Sequence, residues 1–167
     1  WGRAKRIICS TDSEKIAEMA KKFGADVPFM RTARLSIGTA GKLDVIRDAL
    51  VNSEKIYNEK YDIIVDLDVT NPLKTKKDLD NCLGIFGKKN AEVLLSVVKA
   101  RRNPYFNMVE LNNKGFAELS KKPKSTILRT QSTPKVYDVN ASIYFYSRSF
   151  LLNPKNNFVL ESKKAAI

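Results

Sequence analysis

Short β-type runs alternate with amphipathic helical runs along most of this chain, and that order constrains its fold more than any other feature. Arg6-Ile7-Ile8-Cys9-Ser10 reads as a buried strand. Thr11-Asp12-Ser13-Glu14 matches a capping box, in which the threonine accepts from a backbone N–H three residues on and the glutamate reaches back. Ile16, Met19, Ala20 and Phe23 follow at helical spacing, with Gly24 as the stop. Residues 27–30 read as a second short strand. Leu43, Ile46 and Leu50 predict a long helix running to about Glu59, after a loop bounded by Gly38 and Gly41. Residues 61–68 carry the strongest strand signal: Ile63-Ile64-Val65 is apolar on both faces, as a central parallel strand requires. Thr75-Lys76-Lys77-Asp78 is a second capping signal, and Leu79, Cys82, Leu83 and Phe86 give its helix an apolar stripe. Residues 93–98 predict another buried strand.

Beyond residue 100 the pattern changes. Two runs, 105–111 and 116–119, flank Asn112-Asn113-Lys114-Gly115, a hairpin turn signal. A polar stretch with lysine and proline then leads to the alternating strand Ala141-Ser142-Ile143-Tyr144-Phe145-Tyr146. The expected fold is α/β: one domain over residues 1–167, with a mostly parallel sheet flanked by helices and an antiparallel excursion over about 101–140. Ligands of such sheets bind beyond the carboxyl ends of the strands.

Composition narrows the function classes. With 43% hydrophobic and 9% aromatic residues, the chain is not of the disordered class. No apolar stretch reaches the length that spans a bilayer. The two cysteines, Cys9 and Cys82, fall at predicted core positions, which suits reduced thiols in a cytoplasmic protein. Histidine is absent, so Ser-His-Asp chemistry, Cys-His chemistry and histidine-ligated zinc are unavailable among these residues. Group transfer by positioning, basic side chains and Mg²⁺ stays open. The formal charge of +12 suits an anionic partner, but it reads equally as lysine pairs on solvated faces, such as Lys21-Lys22 and Lys88-Lys89. A nucleic-acid surface would interleave basic residues with exposed aromatics, whereas Tyr61, Phe86 and Phe145 fall at predicted core positions.

Four strand-end clusters stand out: Ser10-Thr11-Asp12, Arg31, Asp66–Pro72, and Asn140-Ala141-Ser142. With a period of two, Asp66, Asp68 and Thr70 point to one side of their strand. Carboxylates there can hold a metal or accept hydrogen bonds from sugar hydroxyls and base amino groups. Capping alone explains Thr11 and Asp12; Arg31 reads equally as a surface residue, and Asn140 equally as a turn residue.

Taken in order, these clusters resemble the acylneuraminate cytidylyltransferase family, the CMP-sialic acid synthetases and their relatives. The resemblance rests on Ile8–Ser13 with Ile16-Ala17, Phe23-Gly24-Ala25 leading to Arg31, Val69-Thr70-Asn71-Pro72-Leu73-Lys74-Thr75, Leu95-Ser96-Val97-Val98 and Asn140-Ala141-Ser142-Ile143-Tyr144. Asp66-Leu67-Asp68-Val69-Thr70, the run Ala100–Asn107 and the run Gln131–Asp138 are similar to the legionaminic acid branch. The resemblance implies a Rossmann-like sheet of the nucleotide-diphospho-sugar transferase type, binding CTP and an acidic nonulosonic sugar, and it implies neither a nucleic-acid nor a membrane partner. It also implies Mg²⁺ dependence and a homodimer built partly by the antiparallel excursion. The sugar's anomeric hydroxyl would attack the α-phosphorus of CTP and release pyrophosphate. Ser10 and Arg31 would lie by the nucleotide; Asp68, Thr70, Gln131, Asn140 and Tyr144 would lie by the sugar. The chain departs from the family pattern at Gly38, usually an aspartate, and at Lys74, usually an arginine. Both ends read as cut, so the triphosphate loop and the metal-binding aspartates are expected outside these 167 residues, which alone are expected to be inactive. The rival readings are another sugar nucleotidyltransferase on the same fold and a non-catalytic basic domain that binds nucleic acid.

Overall fold

The structure, a computed structural model, describes residues Trp1–Ile167. Its elements run α1 (Glu14–Lys22), α2 (Lys42–Tyr57), β1 (Ile63–Leu67), α3 (Lys76–Lys88), β2 (Val93–Lys99), β3 (Val109–Leu111), β4 (Ala117–Leu119), β5 (Tyr137–Ser147), α4 (Arg148–Leu152) and β6 (Ala165–Ala166). Single 3₁₀ turns stand at Ala33–Leu35, Thr130–Ser132 and Val159–Glu161. The chain divides into two compact units, Trp1–Leu95 with Ala141–Ile167, and Ser96–Asn140.

The main sheet has the order β1-β5-β2-β6 and is mixed rather than mostly parallel. β5 lies between β1 and β2 and pairs antiparallel with β1, in a register from Ile63 opposite Ser147 to Leu67 opposite Ile143. β2 and β6 pair in parallel through Val93–Ala165 and Leu94–Ala166. Centre and edge are therefore exchanged relative to the sequence expectation. β1, apolar on both faces, is an edge strand with Ile63 and Leu67 each 41% exposed. β5 holds the centre, and Ser142 to Tyr146 are all buried. The alternation in β5 misleads because tyrosine buries its ring while carrying a polar tip.

Two faces of β5 serve two layers. Ile143 and Phe145 join Leu79, Phe86, Ala91, Leu94 and Ala166 in one core cluster. Phe145 meets Phe86 at 5.9 Å between ring centroids and the edge of Trp1 at 6.3 Å. Helix α3 covers this face through the predicted stripe: Leu79 and Phe86 are buried, with Cys82 and Leu83 packed beside them. On the opposite face Tyr144 stacks with Tyr146 at 6.1 Å, and Tyr146 with Phe150 of α4 at 6.3 Å. Full burial of each such side chain contributes about 1.5–3 kcal/mol.

The helix ends differ in how well sequence describes them. The capping box at Thr75 is present: Thr75 Oγ1 accepts from Asp78 N at 3.2 Å, and Asp78 Oδ2 accepts from Thr75 N at 2.8 Å. The one expected at Thr11 is absent. Helix α1 starts after Ser13, which makes no side-chain cap, and the buried Thr11 accepts instead from Ser13 N at 3.1 Å. Gly24 does end α1, at φ +87°, with Ala25 N bonded to Ala20 O and Gly24 N to Lys21 O, the paired bonds of a Schellman motif. The predicted stripe of α1 is not its buried face: Ile16, Met19 and Phe23 are 53%, 54% and 80% exposed, and Ala17 is the buried residue. A periodic apolar pattern marks a face that can be covered without specifying a cover.

Residues 6–10 and 27–30 do not form strands. The first run keeps one parallel bridge, Ile8 opposite Asp26 just ahead of the second run, through Cys9 N to Asp26 O and Asp26 N to Ile7 O. Pro28 has no N–H to extend it. In the second unit the predicted hairpin is present as β3 and β4, closed by Asn112 N to Phe116 O with Gly115 at φ +80°.

Candidate functional site

Four residues singled out in the sequence, Asp66, Asp68, Thr70 and Tyr144, meet at the carboxyl end of β1. Asp66 lies opposite Tyr144 in the β1–β5 ladder, and Asp68 N extends that ladder to Ser142 O at 3.2 Å. Asp66, Asp68 and Tyr144 therefore share one sheet face, as the two-residue period requires. The chain turns after Asp68, and Thr70 folds back so that its N and Oγ1 donate to Asp68 Oδ1 at 2.9 and 2.6 Å. Lys74 pins the same turn by donating from Nζ to Asp68 O at 2.6 Å and to Asn71 O. The lysine that stands where the family pattern has an arginine thus holds the backbone of the loop. The Thr70 hydroxyl and amide hold the Asp68 carboxyl below the usual carboxylate range, with Lys42 and Lys74 adding to the effect. Asp68 Oδ1 is committed to the turn, and Oδ2 is the oxygen left to accept from a ligand.

Lys42 completes this cluster and was missed by sequence reasoning. Its Nζ lies 2.8 Å from Asp66 Oδ2, 3.9 Å from Asp68 Oδ2 and 3.9 Å from the centre of the Tyr144 ring. The available signal was its place. Lys42 is the first residue of α2, directly after the Gly41 N-cap, where the helix dipole disfavours a cation.

Arg31 and the segment Ser10–Asp12 form a second cluster in the same unit. Arg31 N donates to Thr11 O at 2.8 Å, its Nη2 lies 3.2 Å from Asp12 Oδ1, and its Nε donates to Ser36 Oγ at 3.3 Å. The Asp12 carboxyl is lowered, first by a backbone N–H and then by Arg31. Ser10 Oγ is buried without a hydrogen-bond partner, a polar atom with bonding capacity to spare.

Gln131 and Asn140 belong to the second unit. Gln131 is exposed in the 3₁₀ turn Thr130–Ser132, and Asn140 Oδ1 accepts from Ser96 Oγ at 2.6 Å. The two runs read as branch markers are tied together there by Asn103. This buried side chain donates from Nδ2 to Thr133 Oγ1 at 2.9 Å and to Pro134 O at 3.0 Å, while its Oδ1 accepts from Tyr105 N at 3.0 Å.

The aspartates that the resemblance assigns to Mg²⁺ are expected outside these 167 residues. Asp66 and Asp68 converge on an ammonium rather than on a third carboxylate, and no group of three or more carboxylate, thiol or imidazole ligands comes together. No helix is long and apolar enough to cross a membrane.

Residues 2–164 match a family model described as Cytidylyltransferase. The chain is 41% identical over 154 residues to the post-translational flagellin modification protein B of Campylobacter coli. It is 40% identical over 154 residues to the CMP-N,N'-diacetyllegionaminic acid synthase of Campylobacter jejuni. In both cases the match covers 92% of this chain and 64% of the relative, so the chain spans less than two thirds of their length. It is also 29% identical over 143 residues to the pseudaminic acid cytidylyltransferase of Campylobacter jejuni, covering 83% of this chain and 59% of that protein. A family match that takes in the Asp66–Thr70 turn, the Arg31 cluster and both units alike places this chain in the cytidylyltransferase family.

Proposed function

We propose that this chain is the greater part of an enzyme that transfers CMP from CTP to a nine-carbon acidic sugar of the legionaminic type. The sugar's anomeric oxygen forms the new bond to the α-phosphorus, the bond from that phosphorus to pyrophosphate breaks, and the hydroxyl proton is lost. Family membership supports the nucleotide half of this reading. The observation that carries the sugar half is Asp68, whose Oδ1 is held by Thr70 while Oδ2 remains as an acceptor at the end of β1. A carboxylate only accepts hydrogen bonds, and a diacetylated amino sugar, of the kind named for one relative, offers amide N–H donors. In this reading Arg31 and Ser10 serve the nucleotide, and Asp68, Thr70, Gln131, Asn140 and Tyr144 serve the sugar. Two protomers per enzyme and a cytoplasmic location, where CTP is available, belong to the same proposal.

The test is pyrophosphate release by the full-length protein from CTP and Mg²⁺, with N,N'-diacetyllegionaminic, pseudaminic and N-acetylneuraminic acids in parallel. The expected order places the legionaminic acid first. No turnover with any of the three would overturn the reading.

A further inference from the structure

Lys42 stands where helix stability gives no reason for a lysine. At the first position of α2 it faces the positive end of the helix dipole, and Gly41 supplies no side-chain cap to offset it. Local rules are broken in this way mainly where a site requires it. The ammonium is placed from three sides: Asp66 Oδ2 at 2.8 Å, Asp68 Oδ2 at 3.9 Å and the Tyr144 ring at 3.9 Å. A cation over an aromatic face is attracted by the ring quadrupole, so Tyr144 fixes where the charge sits between the two carboxylates. The side chain is 41% exposed, within reach of a bound ligand.

Without Lys42, two carboxylates on one strand face would meet any ligand at the end of β1. A neutral ligand would tolerate that field, whereas a ligand that is itself a carboxylate would be repelled. We propose that Lys42 is a positioning and specificity residue of this site: seated on Tyr144, it neutralises Asp66 and Asp68 together and lets the strand end accept a carboxylate-bearing sugar. The inference rests on the sugar-acid reading of the site and goes beyond it, because it assigns the tolerance of the acid to a residue outside the strand-end motifs.

The experiment measures equilibrium binding of N,N'-diacetyllegionaminic acid and of its neutral methyl ester to the full-length protein. Lys42→Met keeps an unbranched apolar side chain but removes the ammonium that sits over the ring. It should weaken the acid by about tenfold or more while moving the ester by less than about twofold. Lys42→Arg should keep most of the acid's affinity. Adding Asp66→Asn to Lys42→Met should restore part of it, which lost packing would not do. If the methionine variant fails to fold in a thermal melt, Lys42→Gln replaces it. Equal loss of acid and ester, or an unchanged acid, rejects the role of Lys42 while leaving the sugar-acid reading intact. A wild-type protein that binds neither ligand rejects that reading, and the inference with it.

Discussion

At Asp68 the two carboxylate oxygens have different surroundings, and substrate choice is expected to follow from the difference. Oδ1 takes two bonds from Thr70, at 2.9 and 2.6 Å, which locks the side chain and keeps it ionised. Oδ2 can then only accept. Asp68→Gln would put an amide there that both donates and accepts. A site built around a polar partner discriminates strongly, because the wrong ligand leaves a group unpaired. The ratio of kcat/KM for N,N'-diacetyllegionaminic over N-acetylneuraminic acid should therefore fall by about tenfold or more in Asp68→Gln, measured by pyrophosphate release in the full-length protein. An unmoved ratio would return Asp68 to a role in the turn alone.

Among the elements, α1 and α3 begin with similar sequence signals and only α3 keeps its capping box. Thr75 and Asp78 exchange bonds at the exposed start of α3. Thr11 is buried beside Arg31, whose backbone N bonds to its carbonyl, so its hydroxyl turns to Ser13. Thr75→Ala should cost about 1 kcal/mol, lowering Tm by about 2–4 °C in a chain of this length. Calorimetry of the variant checks this, and an unchanged Tm would mean that the box adds nothing at an exposed helix start.

Across the larger unit, Glu54 links α2 to α4 and to the segment just before β1. Its buried carboxylate accepts from Arg148 Nε and Nη2 at 2.7 and 2.9 Å, from Lys60 Nζ at 3.0 Å and from Tyr61 N at 3.3 Å. Arg148 is the largest cause that lowers its pKa from 4.5 to about 2. A carboxylate depressed on folding adds stability that is present above the unfolded value of 4.5 and is lost as pH falls toward 2. Glu54→Gln should lower stability at neutral pH, because it leaves Arg148 without its charge partner. Urea titrations at pH 7 and pH 3 should show the gap between wild type and variant narrowing in acid. A gap independent of pH would mean that packing rather than charge sets the cost.

The sequence by itself determined which segments become helices α2 and α3, where the hairpin turns at Asn112–Gly115, and that Asp66 and Asp68 share a face. Each depends on neighbours within a few positions: a 3.6 or 2.0 period, a cap, a turn residue. The motif order also carried the family, whose model spans residues 2–164. Only the tertiary structure decided that β5 rather than β1 occupies the middle of the sheet, because strand order depends on which partner covers each edge. Only it left Ile16, Met19 and Phe23 exposed, since periodicity describes a face and not its cover. Only it brought Lys42 onto Tyr144, a contact between residues about a hundred positions apart, which no local pattern encodes.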